Sequence, residues 1–238
     1  MGLRNLRLAA SRIAVGFRRV PRRVPIVGSK SSRNVVSKTS EVRDSDGRTI
    51  KFGDPSFWEE EYASQSASKE DKSKAFEWFL PYEGVLQEHF LPVLKSVLHP
   101  GIRGIRLLHV GCGTSEMGPH LATEPDLDVH VTDLDSSPTA VRMMRARHGG
   151  LARYACHEAD VLKLPFGDEA FDAVVDKGTL DALMCRSVED ARRMVGEVHR
   201  VLGKGGVFLQ VTSEAPEARL ELVTTGNGQK RNDWSRST

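Results

Sequence analysis

Cysteine is scarce in this chain of 238 residues, and the three cysteines that occur form no recognisable pattern. Cys112, Cys156 and Cys185 show no paired spacing, and no histidine lies near them at the intervals of a zinc site. We therefore expect no structural disulfide and no metal site, as in proteins of a reducing compartment. No stretch approaches the roughly 20 apolar residues of a membrane span, so we expect no membrane partner.

Acidic residues are missing from the first 40 positions, which contain ten arginines or lysines. Because the whole chain has a formal net charge of +2, the remaining residues together carry −8. Residues 1–24 set apolar side chains near one face of a helix, with arginines interleaved among them. An amphipathic, arginine-rich and acid-free N-terminus is typical of a mitochondrial transit peptide, which predicts the mitochondrial matrix. A disordered basic tail that contacts nucleic acid or lipid is the alternative.

From position 106 onward, short apolar runs alternate with amphipathic helical stretches, which is the pattern of βαβ units. The pattern predicts an α/β fold with an open, doubly wound and mostly parallel sheet. Its five strands are expected at residues 106–110, 127–135, 153–157, 171–176 and 205–213.

The length of the chain allows one sizeable core, and the sequence divides into four segments. Residues 1–45 are predicted to be the transit peptide or a disordered tail. Residues 46–105 are predicted to form an N-terminal helical cap, which is rich in aromatic residues. The sheet domain is expected at residues 106–222, followed by a disordered tail at residues 223–238.

The first predicted strand runs into the turn Gly111-Cys112-Gly113, where missing side chains let the backbone approach a ligand. In a doubly wound sheet, ligands bind outside the carboxyl ends of the strands. A dinucleotide site would need a third glycine where this chain has Glu116, and a carboxylate there disfavours a pyrophosphate at the helix N-terminus. The turn therefore favours a nucleoside ligand without phosphates.

Two acids follow later strands at the same edge of the predicted sheet. Asp135 closes the second strand and is expected to accept hydrogen bonds from both ribose hydroxyls, with Asp133 as a second candidate. Asp160 follows the third strand and is expected to accept from an adenine amine, with Val161 against the ring.

A family resemblance runs through about residues 52–220. The glycine turn, the acid that closes the second strand and the stretches ADVLKLPFGDEAFDAVVDKGTLDAL and VHRVLGKGG resemble the class I S-adenosylmethionine-dependent methyltransferases. FGDPSFWEEEYA, AFEWF and DKGTLDA resemble, more narrowly, the branch that methylates lysines of elongation factor 1A and of citrate synthase. The resemblance implies S-adenosylmethionine as cofactor and a protein substrate, with mitochondrial citrate synthase as the expected substrate and elongation factor 1A as the alternative. A binding protein that has lost catalysis on this fold is the competing class.

The resemblance also implies a set of cofactor contacts. Three aromatic residues of the cap would close over the cofactor, Gly111 would line its turn, and Lys177 would stand near its methionine end. The complete set is Trp58, Tyr62, Phe76, Gly111, Asp135, Ser136, Asp160, Val161 and Lys177.

Three features of the sequence leave open questions within this resemblance. Many of these methyltransferases carry an acid where this chain has His109, so that either the cofactor's amino group lacks a partner there or His109 is a buried structural histidine. Asp176 and Asp181 lie near the expected substrate pocket, but neither is assigned as a catalytic base. After Ser213 no two alternating apolar runs follow, so we expect the usual C-terminal antiparallel strand pair to be missing and the fifth strand to be an exposed edge.

Overall fold

The computed structural model describes residues 14–18, 42–43, 49–67, 77–79, 81–98, 104–215, 219 and 222–223. The strands in this part of the chain are β1 (Ala14–Arg18), β2 (Val42–Arg43), β3 (Thr49–Ile50), β4 (Ile105–Val110), β5 (Val129–Asp135), β6 (Tyr154–Glu158), β7 (Phe171–Lys177) and β8 (Leu202–Thr212). The helices are α1 (Pro55–Ala67), a π-helical segment (Tyr82–Phe90), α2 (Leu91–Val97), α3 (Met117–Thr123), α4 (Pro138–His148), α5 (Thr179–Arg186) and α6 (Val188–Val201).

Five of these strands, β4 to β8, are parallel and correspond to the five that the sequence predicts. The order across the sheet is β1-β8-β7-β4-β5-β6. After β4 the chain first adds β5 and β6 on one side and then returns to add β7 and β8 on the other side. In β4 every side chain except that of Arg106 is buried, as expected for a parallel strand that is covered on both faces. The predicted doubly wound α/β fold is therefore confirmed.

The outer edge of β8 differs from the sequence-based expectation. Ala14–Arg18 forms β1, which pairs antiparallel with β8 and places Gly16 opposite Gln210. The predicted exposed edge is thus covered. Of the helix expected over residues 1–24 the structure describes residues 14–18, and these form a strand. The physical reason is that an edge strand presents unpaired backbone groups, and pairing with them can override the weak helical preference of a short segment.

Two apolar layers cover the sheet, one on each face. Alternate residues of β4 point to opposite layers, since Leu107 packs with α2, α3 and α4 whereas Leu108 packs with α5 and α6. Two of the helices, α4 and α6, begin with a serine cap. The Ser137 hydroxyl accepts from the Ala140 N–H at the start of α4, and Ser187 caps α6 in the same way.

The expectation of a missing strand pair concerns the segment after Thr212. Of that segment the structure describes residues 213–215, 219 and 222–223, and none of these lies in a strand. Within the described helices, none has both the length and the apolar character that crossing a membrane requires.

Candidate functional site

A cavity of about 320 Å³ opens at the carboxyl ends of β4, β5, β6 and β7. Eight of the nine residues that the sequence predicted as cofactor contacts line this cavity, although they come from five separate stretches of the chain. They are Trp58, Tyr62, Gly111, Asp135, Ser136, Asp160, Val161 and Lys177. The ninth, Phe76, lies outside the described residues.

A second cavity, of about 500 Å³, lies near the opposite end of the sheet, where β7 and β8 begin. Its walls include Arg200, whose guanidinium already binds Glu197 and Asp168. Doubly wound sheets bind their ligands at the carboxyl ends of the strands, so the smaller cavity is the candidate site.

The glycine turn fits tightly between its neighbours. Gly111 and Gly113 have φ angles of +59° and +54°, in the left-handed region that favours glycine. A Cβ atom on Gly111 would overlap the Thr179 side chain, and one on Gly113 would overlap the Tyr62 hydroxyl. The turn therefore needs both glycines, because the cap and α5 pack directly against its backbone.

Asp135 supports the turn from the end of β5. Its carboxylate accepts from the Gly113 N–H over 2.7 Å and from the Ser137 N–H over 2.9 Å. Burial raises the pKa of this carboxyl above its ordinary value, and the two backbone hydrogen bonds oppose that rise. Each oxygen retains a lone pair for a further donor, so Asp135 is suited to accept from hydroxyl groups.

Asp133, the second candidate for the same role, belongs to a buried network instead. Its carboxylate lies 3.1 Å from His109 Nδ1 and accepts from the Tyr154 hydroxyl over 2.7 Å. His109 and Asp133 are fully buried, and Asp133 does not line the cavity. Gly118 packs against this carboxylate, where a Cβ atom would overlap it. The structure thus supports His109 as a structural histidine, although its Nε2 atom has no hydrogen-bond partner.

Asp160 and Val161 form the wall of the cavity beyond β6. The Asp160 carboxylate accepts from the Leu162 N–H over 2.8 Å, which orients it in the loop. Val161 is buried beside it and offers an apolar surface. A carboxylate beside an apolar surface suits a flat ring that carries an amine.

The N-terminal cap contributes an aromatic wall. The rings of Trp58 and Tyr62 lie 6.2 Å apart with 26° between their planes, and the Trp58 indole N–H donates to the Phe52 carbonyl over 2.7 Å. Trp78 lies against Gly178, where a Cβ atom would overlap the indole. In the motif AFEWF the family resemblance implied Phe76 as a cofactor contact but not Trp78, which lines the cavity.

Lys177, at the end of β7, is engaged by the cap rather than free in the cavity. Its ammonium donates to Glu77 Oε2 over 2.6 Å and to the Trp78 carbonyl over 3.0 Å. The Glu77 carboxylate also accepts from the Ser115 hydroxyl and from the Glu116 N–H, just after the glycine turn. The sequence predicted Lys177 at the site, but it gave no signal for the role of Glu77.

The two acids of the motif DKGTLDA have structural partners. Asp176 is fully buried and accepts from the Thr179 N–H and from the Gln210 amide. Burial, with a smaller effect of nearby Asp181, raises the pKa of Asp176 to about 6. Asp181 accepts from the Thr212 hydroxyl and from the Arg219 guanidinium. Neither acid lines the cavity, so no base is assigned to either.

The thiols and the possible metal ligands add no further chemistry. All three cysteines are free, and Cys112 lies in the glycine turn. A hydrogen bond with Cys156, together with burial, raises the pKa of the Cys112 thiol, which keeps it protonated. Across the described ranges, no cluster of three or more histidine, cysteine or acidic side chains is arranged to hold a metal ion.

Comparisons with known proteins agree with this geometry. Residues 108–210 match the family model described as a methyltransferase domain. The chain is 31% identical over 176 residues to the mitochondrial citrate synthase-lysine N-methyltransferase of Danio rerio, and the alignment covers 68% of each chain. It is also 31% identical over 197 residues to EEF1A lysine methyltransferase 4 of Bos taurus, covering 72% of this chain and 70% of that one.

Among solved structures, a SAM-dependent methyltransferase from Methanosarcina mazei aligns with a TM-score of 0.40 and 25% identity. The alignment covers 47% of this chain and 52% of that chain, so the present chain spans about half the length of that protein.

Proposed function

Because the chain belongs to the class I S-adenosylmethionine-dependent methyltransferases, we propose that it methylates a lysine side chain of a protein substrate. Its cofactor is S-adenosylmethionine. The observation that supports the proposal most directly is the cavity at the carboxyl ends of the strands, where the glycine turn, two acids and an aromatic wall meet. Cavities of this size and mixed character are typical of cofactor sites.

The residues around the cavity fit this cofactor. We assign Asp135 and Ser136 to the ribose, and Asp160 with Val161 to the adenine ring. Each oxygen of Asp135 keeps a lone pair beside its backbone hydrogen bond, which leaves it able to accept from a hydroxyl. The tight turn at Gly111 lets the backbone approach the ligand, and Trp58 and Tyr62 cover it from the cap.

When bound, S-adenosylmethionine supplies a methyl group that is already activated on a positively charged sulfur. The protein then has to position the acceptor and to keep it deprotonated, since a lysine ammonium with a pKa of about 10.4 has no free lone pair. Trp58 and Trp78 line the cavity and are suited to hold the cationic side chain while water is excluded. Desolvation there lowers the lysine pKa and favours the neutral amine.

We infer mitochondrial citrate synthase as the substrate and the mitochondrial matrix as the location. Two features support this choice: the acid-free basic N-terminus, and the similarity to the mitochondrial citrate synthase-lysine N-methyltransferase of Danio rerio. Elongation factor 1A is the alternative substrate, because a relative of similar identity is named as an EEF1A lysine methyltransferase. The two substrates lie in different compartments, so the location of the protein can be tested separately from its methyltransferase activity.

A labelling experiment with the full chain tests the proposal. The protein is incubated with radiolabelled S-adenosylmethionine and either purified citrate synthase or purified elongation factor 1A. We expect label on a lysine of citrate synthase. Label on elongation factor 1A alone would reassign the substrate, and absence of label on both, with cofactor binding intact, would favour the non-catalytic binding protein.

A pair of variants ties the activity to the cavity. Asp135→Asn removes the charge beside the proposed ribose and should weaken cofactor binding by about 1.5 to 3 kcal/mol, the range for hydrogen bonds to a charged group. Asp126→Asn is the matched control, because its side chain is 84% exposed and lies outside the cavity. Calorimetry that finds equal affinities for a folded Asp135→Asn and for Asp126→Asn would remove Asp135 from the site.

A further inference from the structure

The ion pair between Glu77 and Lys177 is nearly buried, since the two side chains are 13% and 3% exposed. It joins a residue of the cap to the last residue of β7, 100 positions further along the chain. Such a pair in a water-excluded place fixes where its charges lie, and removing one partner leaves the other charge uncompensated.

Strand order places the pair near the sulfur of the cofactor, a step that rests on the proposed function. The assigned adenine and ribose residues lie at the ends of β6 and β5, and the sheet continues through β4 to β7. The rest of the ligand, with its sulfonium and methionine tail, must therefore extend past Gly111 towards the end of β7. Lys177 lines the cavity there.

The charge of Lys177 affects how strongly this part of the cavity binds the cofactor. The sulfonium of S-adenosylmethionine is permanently positive, and an uncompensated ammonium nearby would repel it more strongly in a buried site than in water. We propose that Glu77 is an electrostatic positioning residue: it neutralises Lys177 so that the cavity accepts a positively charged sulfonium ligand. By also binding Ser115, the same carboxylate ties the cap to the glycine turn.

Two ligands that differ in this one charge separate the electrostatic role from a structural one. S-adenosylhomocysteine has a neutral thioether where S-adenosylmethionine has the sulfonium. Calorimetry of the full chain measures both dissociation constants, and their ratio is the quantity of interest. Glu77→Gln should raise the dissociation constant of S-adenosylmethionine about tenfold more than that of S-adenosylhomocysteine, because like charges then face each other.

Lys177 provides the opposite perturbation. Lys177→Met leaves the Glu77 carboxylate without its cation and should shift the ratio in favour of S-adenosylmethionine. The double variant restores neutrality, so its ratio should return to that of the unaltered protein, even if both affinities fall. Glu77→Asp keeps the charge and should keep the ratio as well.

Glu59→Gln is the matched control. Glu59 also links the cap to a helix start, but its partners are the hydroxyls of Ser137 and Thr139 rather than a cation. This variant should loosen the cap and weaken both ligands by the same factor. If Glu77→Gln did the same, Glu77 would be only a mechanical tether and the proposal would be overturned.

The failure of the proposed function gives a different result. An unaltered protein that binds neither ligand would refute the cofactor arrangement itself. If Glu77→Gln does not fold, as judged by circular dichroism, Lys177→Met decides alone, and an unchanged ratio in that variant overturns the proposal.

Discussion

Replacing Asp176 by asparagine should make the protein more stable at neutral pH. The carboxylate is fully buried, and burial together with repulsion from Asp181 raises its pKa to about 6. Hydrogen bonds from Gln210 and from the Thr179 N–H oppose this rise without cancelling it. Asparagine keeps an oxygen for the backbone donor and carries no charge, and rotation of the Gln210 amide preserves that contact.

The magnitude follows from the difference between the two pKa values of Asp176. An aspartate in the unfolded chain has a pKa of about 3.9, so the rise to about 6 disfavours the charged form by about 3 kcal/mol. Between about pH 4 and pH 6 the folded state binds more protons than the unfolded state, so stability falls as the pH rises through this window. Above pH 6 the buried charge of Asp176 destabilises the folded state by the full amount, and Asp176→Asn removes this destabilisation.

Urea denaturation of both proteins at intervals from pH 4 to pH 8 measures the effect. The free energies of unfolding should agree near pH 4 and diverge until the variant is about 2 to 3 kcal/mol more stable at pH 8. Asp172→Asn, on the same strand, is a control of opposite sign, because Arg106 lowers the pKa of Asp172. That pair is partly exposed, so its loss should cost less than about 1 kcal/mol at pH 7 and nothing in acid. An Asp176→Asn variant no more stable than the parent at pH 8 would refute the reasoning.

Three further predictions test the packing, the aromatic wall and the targeting segment. Gly118→Ala should destabilise the fold by about 1 to 3 kcal/mol, because the new methyl group meets the Asp133 carboxylate, whereas Gly150→Ala has open space and should cost little on thermal denaturation. Trp78→Ala should weaken cofactor binding about tenfold in calorimetry through loss of aromatic contact, and unchanged affinity would restrict Trp78 to the substrate lysine. A fluorescent protein fused behind residues 1–24 should enter mitochondria, and a cytosolic signal would favour elongation factor 1A as substrate.

Much of the site could be predicted because it lies at strand ends. The glycine turn, Asp135, Asp160 and Lys177 each follow an apolar run, and parallel strands bring their carboxyl ends to one edge of the sheet. Alternation could not separate Asp133 from Asp135, since residues two apart point to the same face of a strand. Their surroundings made the distinction: Asp133 is enclosed by His109 and Tyr154, whereas Asp135 reaches the cavity.

The five parallel strands, the edge at which the ligand binds and the type of ligand could all be predicted from the residues alone, because they depend on local periodicity and on side chains at strand ends. Contacts between residues that are distant in the chain became known from the folded structure. Glu77 meets Lys177 across 100 positions, Trp78 of the motif AFEWF lines the cavity, and β1 covers an edge that was expected to be open. Such pairings depend on which unpaired groups the folded chain brings together, and no local pattern records that.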